Sequence, residues 1–456
     1  MAKDMTEGSP ARLILFFALP LIAGNMVQQM YAFVDTFLVG RFLGVEALAA
    51  VGCTGCLMFL MIGFVMGMTT GFAIKTGQAF GAKDPQGVRR SAAACAVLSV
   101  GMAAGLMVFG LAIVRPVLVL LDTPPEIFEN AVSFISIIYA GIPLMSLFAM
   151  QTNLIRALGD SRVPTLMLSG GLIINIAFEP LFILGFGLGV PGAALATAAS
   201  QVLANLICFL YIRRRVPALW VQREDWRLTR RELWEHIRIG IPMGFQTSVV
   251  ALGAIILQGA LNGLGPKAIA AYAAAQRVDA VAVMPLISFG MAMATYTAQN
   301  YGARRLTRIR AGVRSCVAMS VSFSILVAAF NILCGGFLME GFVGAEEQDV
   351  IGMGRTFLTV NGLFYWLLSL IFIFRFTLQG LGQTLVPTFA GFMELLMRTL
   401  AALFLIERFG YLGACYANPM AWFGACVPLT IAYLVTRKTL REDGSEFPHT
   451  AEDTAG

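Results

Sequence analysis

Apolar residues fall into twelve long runs along this chain, with the charged residues gathered mainly between them. The runs cover roughly 13–38, 47–74, 92–114, 127–154, 163–184 and 193–212, then 237–261, 268–298, 313–335, 351–376, 385–406 and 412–435. A helix needs ~20 mostly apolar residues to cross a bilayer. Most of these runs are longer, so tilted or kinked spans are expected. A barrel strand would alternate apolar and polar positions over ~10 residues, and these runs do not alternate. The pattern predicts an all-α polytopic membrane protein with twelve transmembrane helices. Gln28, Gln29 and Asp35 inside the first run, with no obvious cleavage site after it, mark a retained helix rather than a secretory signal.

The pattern is also duplicated. Gly77-Gln78-Ala79-Phe80-Gly81-Ala82 returns as Ala298-Gln299-Asn300-Tyr301-Gly302-Ala303, and Leu19-Pro20 returns as Ile241-Pro242. Leu158-Gly159-Asp160 with Pro164-Thr165 returns as Leu381-Gly382-Gln383 with Pro387-Thr388, and Gly189 with Gly192-Ala193 as Gly410 with Gly413-Ala414. Six spans per copy start both copies on the same side of the membrane. Parallel repeats related by a pseudo-twofold along the membrane normal follow, with a cleft between two six-helix bundles. Duplicated membrane halves of this kind mark many secondary transporters, in which one bundle rocks against the other. The expected division is an N-lobe over 1–215, a linker over 216–236, a C-lobe over 237–441 and a polar tail over 442–456. The region around the linker, rich in Arg and carrying Trp220, Trp226 and Trp234, reads as an amphipathic surface segment.

Composition sharpens this picture. A mean hydropathy of +0.78, 58% hydrophobic residues and 13% charged ones lie far from a soluble domain, where about 25% are charged. Most of the 32 Lys and Arg residues fall on the side of the N-terminus, including Arg213 to Arg215, Arg230, Arg231, Arg304 and Arg305. By the positive-inside rule both termini are cytoplasmic, in the inner membrane. The formal charge of +6 then reflects topology, and nucleic acid is not expected as a partner. The eight cysteines lie mostly in apolar runs, where Cys acts as a small hydrophobe. Cys53-Thr54-Gly55-Cys56 reads as helix packing, not metal or redox chemistry. His236 and His449 fall in the linker and the tail, and no phosphate loop or metal spacing occurs. An enzyme or an ATP-driven pump is not supported, and no cofactor is expected.

Ionisable residues deep in a span cost at least ~2.5–3.5 kcal/mol on insertion scales and need a partner, a wet cavity or a function. Asp35 and Glu179 each lie about five residues before the outer end of their spans, and Thr197 about five residues after the sixth begins. At ~1.5 Å per residue all three sit ~8 Å below the outer boundary. Asn175 lies one turn from Glu179 on the same face. An ion or proton site is expected in the outer half of the first bundle, and such a carboxyl pair titrates as a coupled unit. The repeat places no acid opposite either one: the equivalents of Asp35 fall at 256–258 and those of Glu179 at 400–402. An incidental acid facing water is the alternative. Glu394 and Arg398, four apart, are expected to neutralise each other, and Arg375 to snorkel to the near interface. Arg277 and Asp279 point to different faces, where helix packing or gating weighs evenly with a substrate contact. Pro20 and Pro242 should kink the first helix of each half and are candidate hinges. The 23 Met and 34 Phe suit soft, adaptable apolar surfaces.

Twelve spans in two repeats, the run from Asp35-Thr36 to Val39-Gly40, the Gly77–Ala82 element, Leu158-Gly159-Asp160 with Pro164-Thr165, and Asn175 through Glu179-Pro180 resemble the multidrug and toxic compound extrusion (MATE) family over about 12–438. The resemblance implies efflux of cationic or amphipathic organic compounds in exchange for protons or sodium, by alternating access in a V-shaped pair of bundles. The chain looks like the DNA-damage-inducible-type branch, whose N-lobe cation site matches Asp35, Asn175, Glu179 and Thr197. Glu179 departs from the Asp familiar there. The other branch's acids in the seventh and tenth helices have no counterpart. Tyr139, Gln28, Gln29, Arg277 and Asp279 are candidate cavity-lining residues. A small organic substrate and the lipid bilayer are the expected partners of a monomer. Two rivals remain: a flippase of lipid-linked precursors, which would want a basic cavity or extra helices, and a non-transporting receptor or channel.

Overall fold

The computed structural model describes residues 4–344 and 346–440; Arg441 and the tail over 442–456, including His449, lie outside the described residues. Helices account for nearly all of it, and no strand occurs among the described residues. Eleven are long and apolar enough to cross a bilayer: α1 (Pro10–Gly44), α2 (Gly55–Gly81), α3 (Pro85–Leu120), α5 (Arg162–Gly185), α6 (Gly189–Arg215), α7 (Arg230–Asn262), α8 (Pro266–Gly302), α9 (Leu306–Val343), α10 (Gln348–Gly380), α11 (Leu385–Phe409) and α12 (Tyr411–Lys438). Between α3 and α5 runs α4, in two arms, Pro125–Ala140 and Ile142–Ala157, bent by 43°. With α4 counted as one broken span, every one of the twelve apolar runs has its helix.

The sequence explains the punctuation. Proline opens α1, α3, the first arm of α4, and α8, where its missing N–H costs nothing. The Asp84 carboxylate accepts from the Gly87 amide at the start of α3. Thr229 and Glu232 close a reciprocal capping box at the start of α7. Gly44, at φ +83°, breaks α1 before a short helical continuation to Cys53. The backbone of α1 is otherwise helical, through Pro20 as well. Near their ends away from the N-terminal side, α5 and α11 each carry one wide π turn, Leu181–Gly185 and Ala401–Leu405. The two halves repeat even their pinning contacts: Thr165 Oγ1 donates to the Pro20 carbonyl at 2.7 Å and Thr388 Oγ1 to the Pro242 carbonyl at 3.4 Å.

The halves meet across α1, α2, α7 and α8. Gly67 and Gly71 of α2 lie against Met243 and Gly240 of α7, and a Cβ on Gly71 would come within 2.6 Å of the Gly240 Cα. Small residues let the two backbones approach this closely. At the face where α1 begins, called here the N-terminal face, Gly81 abuts the Gln299 carbonyl and Gly302 abuts the Gln78 carbonyl. The Gln78 side chain donates to the Gly380 carbonyl at 3.0 Å, and the Gln299 side chain to the Ala157 carbonyl at 2.9 Å. Toward the opposite face, side-chain bonding between the halves reaches Asn25–Ser288 (3.0 Å) and Ser248 to the Leu60 carbonyl (3.1 Å).

The segment before α1 reinforces the closure. Met5 is buried, its amide bonded to Gln299 Oε1 at 2.9 Å and its carbonyl to Asn300 at 3.2 Å. Arg305 and Arg308 donate to the Thr6 and Gly8 carbonyls at 2.7 and 2.9 Å. Lys75–Glu235 (3.0 Å) and Arg90–Glu232 (2.6 Å) also tie the first half to the start of α7 at this face, though such half-exposed pairs contribute ~0–1 kcal/mol each. The stretch between α6 and α7 folds as two 3₁₀ turns, Pro217–Leu219 and Arg223–Trp226. Its buried Asp225 pairs with Arg89 at 2.9 Å, while Trp220, Trp226 and Trp234 are exposed. His236 is not in that stretch. It is buried in α7, with Nε2 2.8 Å from Ser91 Oγ.

Two expected pairings change. Glu394 does not pair with Arg398 but with Arg375 of α10, and both partners are buried. Four-residue spacing puts 394 and 398 on one face of α11, which packs on α7, yet the Glu394 carboxylate is taken by the desolvated Arg375 guanidinium reaching from α10. Arg375 therefore points inward and does not snorkel. Arg398 instead donates to the Val250 carbonyl at 3.3 Å.

Candidate functional site

Three helices of the first half, α1, α5 and α6, converge near the face opposite the N-terminus. Glu179 lies on the last α-helical turn of α5, just before the π turn, and Asn175 one turn deeper; both are 0% exposed. Asn175 Nδ2 donates to Thr197 Oγ1 of α6 at 3.4 Å. Asp35 of α1 is half-buried and within electrostatic range of Glu179. Asp35, Asn175, Glu179 and Thr197 thus come together.

Two residues complete the group that sequence reasoning missed. Tyr31 stands beside Thr197 and Ser200, near both acids, and Ser200 Oγ donates to the Thr197 carbonyl at 2.8 Å. A signal existed: Tyr31 is four residues from Asp35 and Ser200 three from Thr197, the spacings that share a helix face.

The chemistry of this pocket is set by what is left unbonded. Both Glu179 carboxylate oxygens, Asn175 Oδ1 and the Tyr31 hydroxyl are buried with no hydrogen-bond partner. Among the described residues no Lys or Arg pairs with Glu179 or Asp35. Buried polar atoms are normally satisfied, and a lone buried carboxylate costs several kcal/mol. A set of carboxylate, amide and hydroxyl oxygens with no positive neighbour can take up a proton or a hard monovalent cation. Among the described residues no cluster of three or more His, Cys, Asp or Glu could hold a transition metal.

The remaining candidates lie elsewhere. Tyr139 is 1% exposed in the core between α2, α3 and α4, its ring against Gly110 and its hydroxyl donating to the Leu57 carbonyl at 3.3 Å; it does not line the pocket. A bulky ring opposite a glycine was not readable from sequence. Gln28, Gln29 and Arg277 are exposed. Asp279 in the second half accepts from the Tyr365 hydroxyl at 2.6 Å, which in turn accepts from Asn331 at 3.1 Å. That acid is satisfied where Glu179 is not.

A family model described as MatE matches residues 20–181 and again residues 242–403. The chain belongs to this family. A relative from Bacillus subtilis (strain 168), the probable multidrug resistance protein YoeA, is 28% identical over 395 residues, 85% of this chain and 85% of its own. The multidrug export protein MepA of Staphylococcus aureus (strain MSSA476) is 23% identical over 97% of each chain. A solved MATE structure in complex with MaL6 superposes with a TM-score of 0.87 at 21% identity, over 96% of this chain and 98% of that one. MATE proteins are ion-coupled transporters and not enzymes, so this is a multi-pass membrane transporter of two six-helix halves.

Proposed function

We propose that this MATE protein exports small cationic or amphipathic organic compounds across the cytoplasmic membrane, driven by inward flow of protons or sodium. One observation carries the reading: Glu179 is fully buried beside Asp35 with both carboxylate oxygens unpartnered. Asp35, Asn175, Glu179 and Thr197, joined by Tyr31 and Ser200, form the coupling site in this reading. The N-terminal face is cytoplasmic, because Arg213, Arg214, Arg215, Arg304 and Arg305 collect there. Residues 1–215 and 237–441 then act as the moving lobes, 216–236 as the cytoplasmic linker and 442–456 as a cytoplasmic tail, in a chain that works as a monomer.

With the lobes bound together at the N-terminal face, the opposite side is where the coupling ion enters. Its arrival lowers the negative charge of the acid pair and with it the cost of drying that pocket. Closing the outer side then becomes cheaper, and the latch at the inner side can part. Pro20 and Pro242 serve as hinges for that rocking, each with its carbonyl held by a threonine of a neighbouring helix.

The test is ethidium efflux from proteoliposomes under an imposed proton gradient, a sodium gradient, or neither. The reading requires one gradient to accelerate efflux and Asp35→Asn and Glu179→Gln to abolish the acceleration. Gradient-driven efflux by Asp35→Asn at the wild-type rate sinks it.

A further inference from the structure

A second polar site lies on the axis between the lobes, just above the latch. There a cavity of about 40 Å³ is walled by Arg156, Asn153 and Thr70 on one side and by Phe17, Met291 and Phe376 around it. Arg156 is the penultimate residue of α4. Its Nη1 donates to Asn153 Oδ1 at 3.3 Å, and its buried Nε has no partner. Asn153 in turn is fixed by donating to the hydroxyls of Thr69 and Thr70, both at 3.2 Å. Among the described residues no carboxylate pairs with Arg156.

The other half shows what an ordinary filling of this place looks like. The repeat aligns Arg156 with Gln379, as it aligns Ala157 with Gly380. The side-chain amides of Gln379 and Gln246 meet at 2.8 Å, an uncharged filling in which Gln379 Oε1 is left without a partner. The first half has instead a guanidinium that cannot shed its proton and has only one neutral acceptor. Its position near the end of α4 would let it snorkel to water, yet it lines the cavity between the lobes, half-buried, next to Ala157, whose carbonyl takes the Gln299 bond. A half-buried guanidinium whose Nε is buried without a partner gains from an anion beside it, and it presents paired N–H donors to an oxyanion.

We propose that Arg156 binds a singly charged anionic group at the floor of the cleft, with Asn153 holding the guanidinium in place. The group is an inorganic anion or the carboxylate of a transported compound. The cavity has room for such a headgroup alone. An attached apolar body fits only when the lobes part, and it would then lie against Phe17, Met291 and Phe376. This deepens the exporter reading by adding a class of acidic or zwitterionic amphipathic substrates. It does not depend on which ion drives transport.

The test uses purified full-length protein in detergent, with no gradient, so its outcome is separable from that of the coupling reading. One arm compares thermal stability in chloride and in gluconate. The other follows carboxyfluorescein anisotropy with benzoate as competitor. Wild-type stabilisation by chloride without dye binding assigns the group to an inorganic anion. Dye binding displaced by benzoate assigns it to a substrate carboxylate. In either arm Arg156→Gln should weaken the effect about tenfold or more and Arg156→Lys less, because ammonium keeps the charge but not the paired donors. Stability equal in both salts together with no competable dye binding in the wild type overturns the proposal, whatever the variants do.

Discussion

Gln78 and Gln299 occupy equivalent places in the two repeats, and each donates its side-chain amide to the other half, to the carbonyls of Gly380 and Ala157 at 3.0 and 2.9 Å. Those two acceptors are themselves equivalent under the duplication. One interaction, copied once, therefore fastens the N-terminal face from both sides of the pseudo-twofold. Glycines next to it, Gly81 and Gly302, let each backbone lie on the carbonyl of the opposite glutamine.

Replacing Gln78 or Gln299 by alanine should loosen that face by about 1 kcal/mol each, the ordinary net worth of such a bond, with the double variant opening further. Gly81→Val acts more strongly, since its side chain would collide with the Gln299 backbone. Distances between spin labels at the ends of α2 and α8 report this directly. The labels should move apart in the order wild type, single glutamine variant, double variant, Gly81→Val. Unchanged distances in the double variant would show that the glutamines carry no share of the closure.

The strap before α1 adds a separate fastening. Arg305→Ala combined with Arg308→Ala removes the donors to the Thr6 and Gly8 carbonyls. The expected outcome is faster alkylation of a cysteine placed at Met5, which is buried in the intact protein. Alkylation at the wild-type rate would argue that Gln299 and Asn300 suffice to hold the strap.

Arg375 and Glu394 form a buried pair inside the second half. Breaking it from one side, with Glu394→Gln or Arg375→Met, should cost about 3–5 kcal/mol because a charge is stranded. Replacing both by apolar residues of similar volume should recover most of that loss. Thermal unfolding in detergent checks the order. A double variant as unstable as either single one contradicts it.

At the proposed coupling site, Glu179→Asp keeps the charge and should retain gradient-driven efflux at a reduced rate, while Glu179→Gln should lose it. Tyr31→Phe removes a buried hydroxyl that has no partner. It should therefore cost little stability and act on ion affinity instead. Efflux rate as a function of proton or sodium concentration distinguishes the two effects, and a large fall in melting temperature for Tyr31→Phe would make that residue structural.

Much of this fold was legible because bilayer helices announce themselves by length and because the glycines and prolines were copied with the helices. The grouping of Asp35 with Asn175, Glu179 and Thr197 followed from depth counted along three spans. What failed has a common physical cause. The partner of Glu394 and the surroundings of Tyr139 depend on how a helix is rotated about its own axis, and an apolar run in lipid reveals that rotation poorly. The strap was invisible for another reason: its bonds run through backbone carbonyls at Thr6 and Gly8, which every sequence possesses. Arg156 did not stand out in the sequence, since its span ends close to the interface, where a lone Arg is ordinary.

The wide turns at Leu181–Gly185 and Ala401–Leu405 stand at matching places in both halves, yet only the first has an acid directly ahead of it. The irregular winding is thus common to both copies, and the carboxylate distinguishes one from the other. A single-copy protein built from the second half should keep the distorted helix and lack the ion.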